Sequence, residues 1–593
     1  MLRKIKQSLL LLPLVAALLS SCSGTPDSAR LIPKDAIVVM GFNMKDFADQ
    51  ADMGDQEEAS ATLEKLLKND DVSAKTREKV LELWEDPGMT GFDLSETMFF
   101  FVSESFTNNY AFVGGVSDED DLKDFLDLLA KEDVCTKAHK YSDLYYSIFD
   151  GHSLLAFDDD FFVFTPITWE QRSKSDDIDD AARLAVDEVK TLFDQKKEKS
   201  IAENDQFAEL CSRDGFMTLF VNGPGLEDIP QAERELKQIE EKTGIRIQDY
   251  DILATLATDK GETVFEAELV GTTEAAQKKL EDLGKYSKTI QGNYLSYLDA
   301  NAIFTMAFGN NGKDQLDLLN KSGLMGELCD AEYQGIAGEL LKNLNGDVAL
   351  QLTTVEADGQ PEFALYAASD KSDGIQQFGE MLVQNNVASM MEPNKFLVPL
   401  SSLKNMNGGS SYNDSYYNEY VMDSLAAEEF QPDSNESELE CYGPDPDCDE
   451  YELNRYGPEP DCYADYATEP QSGKDCNCLF GWKQGAAYMV VGPNPTAFQK
   501  PGKVIDKAPF ENRKFYARFN FAALVKSPLM RANEGSPDAD ITVAILKLFD
   551  YVEAYIDAEN PYRLGLRVVM VDKENSPAKT LIEAFFKEMR KQL

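Results

Sequence analysis

Histidine is almost absent: the 593-residue chain has two, His139 and His152. A Ser-His-Asp, Cys-His or His-rich zinc site would have to use one of them. His139 stands in polar Lys137-Ala138-His139-Lys140 and His152 in the turn Asp150-Gly151-His152-Ser153, and both read as surface positions. Basic charge is also scarce, with 57 Lys and Arg against 106 Asp and Glu, a net charge of −49. Such a chain is repelled by nucleic acid and anionic headgroups, so no nucleic-acid partner is expected. After residue 22 no apolar run is long enough to span a bilayer as a helix. Nor is there a G-x-S-x-G, a P-loop, a G-x-G-x-x-G after a strand or an H-E-x-x-H. No catalytic residue, metal ligand or cofactor is therefore nominated. Asp158-Asp159-Asp160 could be imagined as half of a glycosidase pair, but it reads as a solvated turn.

What is present begins at the N-terminus. Arg3, Lys4 and Lys6 precede an apolar stretch, residues 9–19, broken only by Pro13. It is too short for a durable membrane span and reads as a secretory signal over residues 1–21. It runs into Leu19-Ser20-Ser21-Cys22, which resembles the lipobox of bacterial lipoproteins. That resemblance implies a diacylglyceryl group on the Cys22 thiol, cleavage before it and acylation of the new amine. Several acyl chains hold a protein stably where one, at about 0.8 kcal/mol per buried methylene, holds it marginally. Ser23 follows the cysteine, which in the enterobacterial sorting rule favours the outer membrane. Residues 22–30 then read as the lipidated cysteine and a polar tether.

The body shows internal likeness. Ile37-Val38-Val39-Met40-Gly41-Phe42 followed by Asn43 is a strand with an Asn corner, and the pattern recurs at 217–221 with Asn222, 303–308 with Asn310, and 515–519 with Asn520. Asn suits such corners because its side chain bonds nearby backbone and caps helices. A strand–turn–strand–helix order also recurs. It spans 98–102 and 110–116 around Asn108-Asn109, with Leu122, Phe125, Leu126 and Leu129 at helical spacing. It returns at 252–257 and 264–270 with a helix over 272–285, and at 348–353 and 362–367, turning at Asp358-Gly359, with a helix over 372–384. The last copy is 552–556 and 563–571, followed by a helix capped by Ser576, with Leu581, Ile582, Phe585, Phe586 and Met589 on one face. Stretches 145–166 and 478–493 read as short strands with tight turns. The pattern predicts an α+β fold: a tandem duplication of β-α-β-β-α units, of ferredoxin-like or split β-α-β type, with halves 31–290 and 296–593. Helices are expected on one face of antiparallel sheets.

The second half carries an insert, residues 405–475, with 19 acidic residues, two basic ones and nine tyrosines. It lacks helical or alternating period and reads as a disordered acidic loop. Tyr442-Gly-Pro-Asp-Pro-Asp-Cys448 is echoed by Tyr456-Gly-Pro-Glu-Pro-Asp-Cys462. Cys441, Cys448, Cys462, Cys476 and Cys478 crowd this region and could form disulfides. Free thiols in a solvated loop and a metal among thiolates and carboxylates are the other readings, although the spacing is that of no zinc knuckle or EF-hand loop. Cys135, Cys211 and Cys329 stand singly and read as buried small hydrophobes.

Leu31-Ile32-Pro33-Lys34-Asp35-Ala36-Ile37-Val38-Val39, followed by Asn43-x-Lys45-x-Phe47, resembles the domain-of-unknown-function lipoproteins of Bacteroidetes whose mature chains open I-P-x-D-A. The likeness covers nearly the whole chain apart from the insert, and implies location and architecture rather than chemistry. Exported proteins of these bacteria are often O-glycosylated at Asp-Ser/Thr before an apolar residue, a pattern met at Ser28 and Ser424. The resulting expectation is a non-enzymatic envelope protein held by lipid on Cys22, at the outer membrane, that binds another envelope protein or a glycan. A carboxylate-dependent hydrolase of envelope or extracellular glycans and a periplasm-facing assembly factor are the alternatives.

Overall fold

Alternating runs become hairpins wherever a residue that tolerates left-handed backbone closes them: Asn109 (φ 68°), Gly151 (φ 69°), Gly261 (φ 70°) and Gly485 (φ 81°) each reverse the chain between strands. A computed structural model describes residues 25–43, 74–229, 233–321, 325, 331–355, 361–404, 476–528, 530, 543 and 545–580. The first half holds β1 (Val38–Phe42), α1 (Ala74–Glu85), β2 (Phe92–Asp93), β3 (Met98–Val102), β4 (Tyr110–Val116), α2 (Glu119–Lys131) and β5 (His139–Tyr141). It continues with β6 (Leu144–Phe149), β7 (Ser153–Phe157), β8 (Phe161–Pro166), α3 (Ile178–Phe193), α4 (Asp205–Cys211), β9 (Met217–Val221), α5 (Glu233–Thr243), β10 (Tyr250–Asp259), β11 (Glu262–Gly271) and α6 (Glu274–Leu283). The second holds β12 (Ser287–Lys288), β13 (Phe304–Asn311), α7 (Gly312–Lys321), α8 (Ala331–Asn343), β14 (Leu344–Val355), β15 (Pro361–Ser369) and α9 (Asp373–Gln384). It ends with β16 (Ser389–Glu392), β17 (Lys395–Pro399), β18 (Asn477–Lys483), β19 (Ala486–Gly492), β20 (Arg513–Asn520), β21 (Phe549–Asp557) and β22 (Arg563–Met570).

The strands form one antiparallel sheet. Its first half runs β5-β6-β7-β8-β4-β3-β1-β9-β10-β11. There β11 pairs with β22, and the order continues β22-β21-β20-β13-β14-β15-β19-β18-β17-β16. The short β2 and β12 pair beside β4 and β13. Read from the seam outward, the halves repeat the same chain order. Hydrogen bonds match as well: Asn222 N donates to Ile37 O (2.8 Å) and Asn520 N to Ile303 O (2.7 Å), while Ile37 N donates to Val102 O (2.8 Å) and Ile303 N to Leu352 O (2.9 Å).

Three expectations need correction. In a split β-α-β unit the helix joins two parallel strands that have a third between them, whereas β1 pairs directly and antiparallel with β3, β9 with β10, β13 with β14 and β20 with β21, so the strand–helix–hairpin–helix order does not make ferredoxin-like units. Helices cover both faces of the first half, not one. On one face α3 and α4 bury Ala181, Ala185, Val189, Phe207 and Leu210 with Val39, Phe99 and Phe101. On the other, α1 and α2 bury Val80, Leu83, Leu122, Phe125 and Leu126 with Phe92 and Met98. Residues 27–30, expected above as part of a polar tether, are instead folded into the body. Asp27–Leu31 is a 3-10 turn with Ser28, Ala29 and Leu31 fully buried, because Ala29, Leu31 and Ile32 complete the first core. Likewise Ile290, assigned above to the first half, packs in the second-half core with Leu295 and Tyr516.

Among the described residues no helix is long and apolar enough to cross a membrane. The signal segment, Cys22, the turn Asp358-Gly359, the insert 405–475 and the apolar face from Leu581 to Met589 lie outside them.

Candidate functional site

The most informative row of residues crosses the sheet at Phe220 and Arg518, each two positions before an Asn corner. In the first half, Val39 pairs with Phe101 and Phe220, and Phe220 pairs with Leu253. All four are at most 1% exposed, packed under α3 and α4. In the second half the same positions carry Thr305, paired with Gln351 and Arg518, and Arg518 is paired with Glu553. The cover differs in step. Residues 167–216 link β8 to β9 and include α3 and α4, whereas the shorter segment 493–512 links β19 to β20 with no α-helix. A polar row has replaced an apolar one where the helical layer is missing.

A cleft of about 490 Å3 lies on this face, within the usual size range for small-ligand sites. Its floor is Gln351, Thr353, Glu362 and Tyr366, and its walls include Tyr297, Asp299, Asn494, Thr496 and Lys500. Buried polar side chains hold the walls in place. Asp347, 2% exposed, accepts from Gln291 N and Asn293 N (both 2.8 Å), and Gln351 Oε1 accepts from Asp299 N (2.7 Å). Phe498 pins the roof: its N–H donates to Tyr366 Oη (3.3 Å), and its ring lies 5.2–5.4 Å from Tyr366, Tyr297 and Tyr488. Asp299 Oδ1 accepts from Asn301 N (2.8 Å) and Nδ2 (3.2 Å), which ties one of the two cleft carboxylates to its own turn.

Charge is matched at and next to the seam between the halves, several strands from the cleft. Glu268 accepts from Arg563 Nη2 (2.7 Å), Arg213 Nη2 (3.0 Å) and Asn560 Nδ2 (2.7 Å). Glu553, 4% exposed, accepts from Tyr516 Oη (2.6 Å) and lies 3.4 Å from Arg567 Nη1. Burial, then the Glu553 carboxylate, pushes the Tyr516 phenol well above its ordinary pKa. Tyr555 leans across Gly565 and donates to Glu266 Oε1 (3.3 Å). Since a one-residue slip would turn these groups to the opposite face, they fix the register between the halves.

The residues singled out from the sequence fall elsewhere. His152 and His139 are exposed, and His152 Nδ1 lies 2.7 Å from Arg172 Nη1. Asp158 closes its turn by accepting from Phe161 N (2.7 Å) and Asp160 N (3.0 Å), and burial raises its pKa. Burial raises the thiol of Cys135 to about 11, that of Cys211 to about 12 and that of Cys478 to about 11, so none is an activated thiolate at neutral pH. Cys135, Cys211 and Cys478 are only partly buried, where burial was expected for Cys135 and Cys211. Cys476 is buried, its Sγ donating to Pro361 O (3.8 Å). Ser28 Oγ donates to Thr97 O (3.0 Å) from a fully buried position. Cys22, Cys329, Cys441, Cys448, Cys462 and Ser424 lie outside the described residues. No group of three or more His, Cys, Asp or Glu that could hold a metal occurs among the described residues. The cleft residues were not nominated. Of the polar row only Gln351 lines the cleft, so the signal that could have found it is the mismatch of Gln351 in the second half against Phe101 in the first.

Fold and site together define a class: an α+β protein on one large antiparallel sheet with a polar cleft. The chain belongs to a domain-of-unknown-function family, DUF4836, whose model matches residues 29–396. No curated protein matches it. A solved structure titled "Structure of crystal form I of TP0453" is similar at 10% identity, covering 44% of this chain and 88% of that chain. Its TM-score of 0.22 is too low to carry an argument.

Proposed function

We propose that this is a lipid-anchored envelope protein, held at the outer membrane through Cys22, whose second half binds a ligand without turning it over. The polar lining of the cleft, Asp299, Gln351, Thr353 and Glu362, carries this reading. A cleft left by a truncated core would be lined by apolar side chains, whereas these polar groups suit a surface made to be wetted or filled. The matched strand order supports an origin by tandem duplication, with the first copy keeping a helical cover that the second has lost. The partner is another envelope protein or a glycan, and the membrane is reached through the lipid. A sugar on Ser28 would have to precede folding, since its hydroxyl is buried and bonded; Ser424 in the insert carries no such constraint from sequence.

Two measurements test this. Cys22→Ala should abolish palmitate labelling and release the body from membranes; undiminished labelling overturns the anchor. Affinity capture of the lipidated protein, with mass spectrometry of what it holds, should lose that ligand when Thr353→Val and Glu362→Gln are combined. A glycan-hydrolase reading has one observation behind it, that Asp299 and Glu362 both line the cleft. If the purified body turns over a glycan and Glu362→Gln stops it, the non-enzymatic reading falls.

A further inference from the structure

We infer that Arg518 holds an oxyanion of the ligand, a carboxylate or a phosphate group, on the sheet face of the second half that lacks an α-helical cover between β19 and β20. This rests on the reading above that this face takes a ligand, and it adds the ligand's chemistry.

Arg518 stands where the first half buries Phe220, so its side chain extends from the sheet onto the face that lacks a helical cover. It is the exception among the arginines around the seam. Arg213, Arg513, Arg563 and Arg567 lie 3.0, 3.6, 2.7 and 3.4 Å from carboxylate oxygens of Glu268, Asp557, Glu268 and Glu553. Arg518 makes no ion pair among the described residues. Its cross-strand neighbour Glu553 is already engaged by Tyr516 and Arg567. The Arg518 Nε–H is buried and has no hydrogen-bond acceptor. The guanidinium carbon sits 3.7 Å from the Tyr551 ring centroid, so one flat side is stacked and the donor edge keeps its orientation.

An unmatched, partly buried donor is unfavourable. In a chain with 106 acidic residues an internal carboxylate at this position would have been the simplest remedy. A stacked, oriented guanidinium with a vacant donor edge is the geometry that pairs with two oxygens of a carboxylate or phosphate. The chain's −49 charge repels anions at long range, so recognition here works through short, directional hydrogen bonds rather than a basic field.

The test uses the full chain in detergent and needs no substitution at first. Phenylglyoxal modification of each arginine is followed by peptide mass spectrometry, alone and with inorganic phosphate or citrate. Arg518 should react faster than Arg563. An anion at ten times its half-saturating concentration should slow Arg518 about tenfold and leave Arg563 unchanged. Protection by phosphate alone assigns a phosphate ligand, and protection by citrate alone a carboxylate. The protecting anion should also raise the unfolding temperature of the unmodified chain, raise that of Arg518→Lys less, and leave that of Arg518→Gln unchanged. Equal modification of Arg518 with and without both anions overturns the inference, as does an undiminished thermal shift in Arg518→Gln. If that occurs while Thr353→Val with Glu362→Gln still loses the captured ligand, only the oxyanion assignment fails and the binding function stands.

Discussion

Glu553 is buried between a phenol and a guanidinium. Glu553→Ala should cost about 1–3 kcal/mol in urea unfolding, because the buried Tyr516 hydroxyl loses its acceptor, while Arg567, a third exposed and 3.8 Å from Glu262, keeps a partner. A loss under about 1 kcal/mol would mean that hydroxyl is solvated. Two other glutamates carry opposite pH signatures. At Glu268 burial acts upward, but the hydrogen bonds from Asn560 and Arg563 and the charges of Arg563 and Arg213 outweigh it and hold the carboxyl below its ordinary range. A lowered folded-state pKa contributes stability that is present above the ordinary glutamate range and lost as pH falls through the folded value. Glu268→Gln should therefore lower the unfolding temperature at neutral pH, with the gap closing on acidification below about pH 4. At Glu96 burial, then Asp93 and Asp27, raises the carboxyl despite hydrogen bonds from Ser28. Its contribution is present at low pH and lost as pH rises through the folded value, so Glu96→Gln should stabilise at neutral pH. Parallel pH profiles for the two variants would contradict this assignment.

The close approach of β22 to β21 is set by a missing side chain. A Cβ on Gly565 would lie 2.2 Å from the Tyr555 ring, so Gly565→Ala must displace Tyr555 and its bond to Glu266. We expect a loss of about 1–3 kcal/mol, with the amide resonances of β11 shifted; an unchanged urea midpoint would show that the ring moves freely. Hairpins such as β3–β4 and β10–β11 were legible in the sequence because period-two alternation and a left-handed Asn or Gly are both local signals. The strand β16 was not, since all four of its residues are exposed and nothing alternates. The α3 helix escaped for a different reason. Its stripe of Ala181, Ala182, Ala185, Val186, Val189 and Leu192 recurs at helical spacing and was legible, but it falls outside the repeated strand–turn–strand–helix pattern. Strand order was illegible because β11 finds β22 across nearly the whole second half, and no local pattern encodes that choice. The cleft was hidden for the same reason, as Gln351 on its floor becomes meaningful only once it and Phe101 are seen to occupy equivalent positions.

Across the whole molecule, the two halves share one sheet and their strands meet only at the β11–β22 pair among the described strands. The insert leaves after β17 and returns at β18, which are hydrogen-bonded neighbours with Pro399 opposite Asn477. Because the strands meet at that point, joining residue 404 to 476 through a short Gly-Ser link should change stability by less than about 1 kcal/mol. A larger drop in unfolding temperature would show that the insert supports the body. The seam has a consequence in time. The chain completes β11 at residue 271 and does not make its partner until residues 563–570. For that interval the first half, if it folds as it emerges, displays an unpaired antiparallel edge bearing Val264, Phe265 and Ala267. Such an edge is a template for any other extended chain, including a second nascent copy. Maturation of this protein is therefore a race between the last strand of one molecule and the open edge of its neighbour, and slow delivery of the C-terminus favours aggregation over closure.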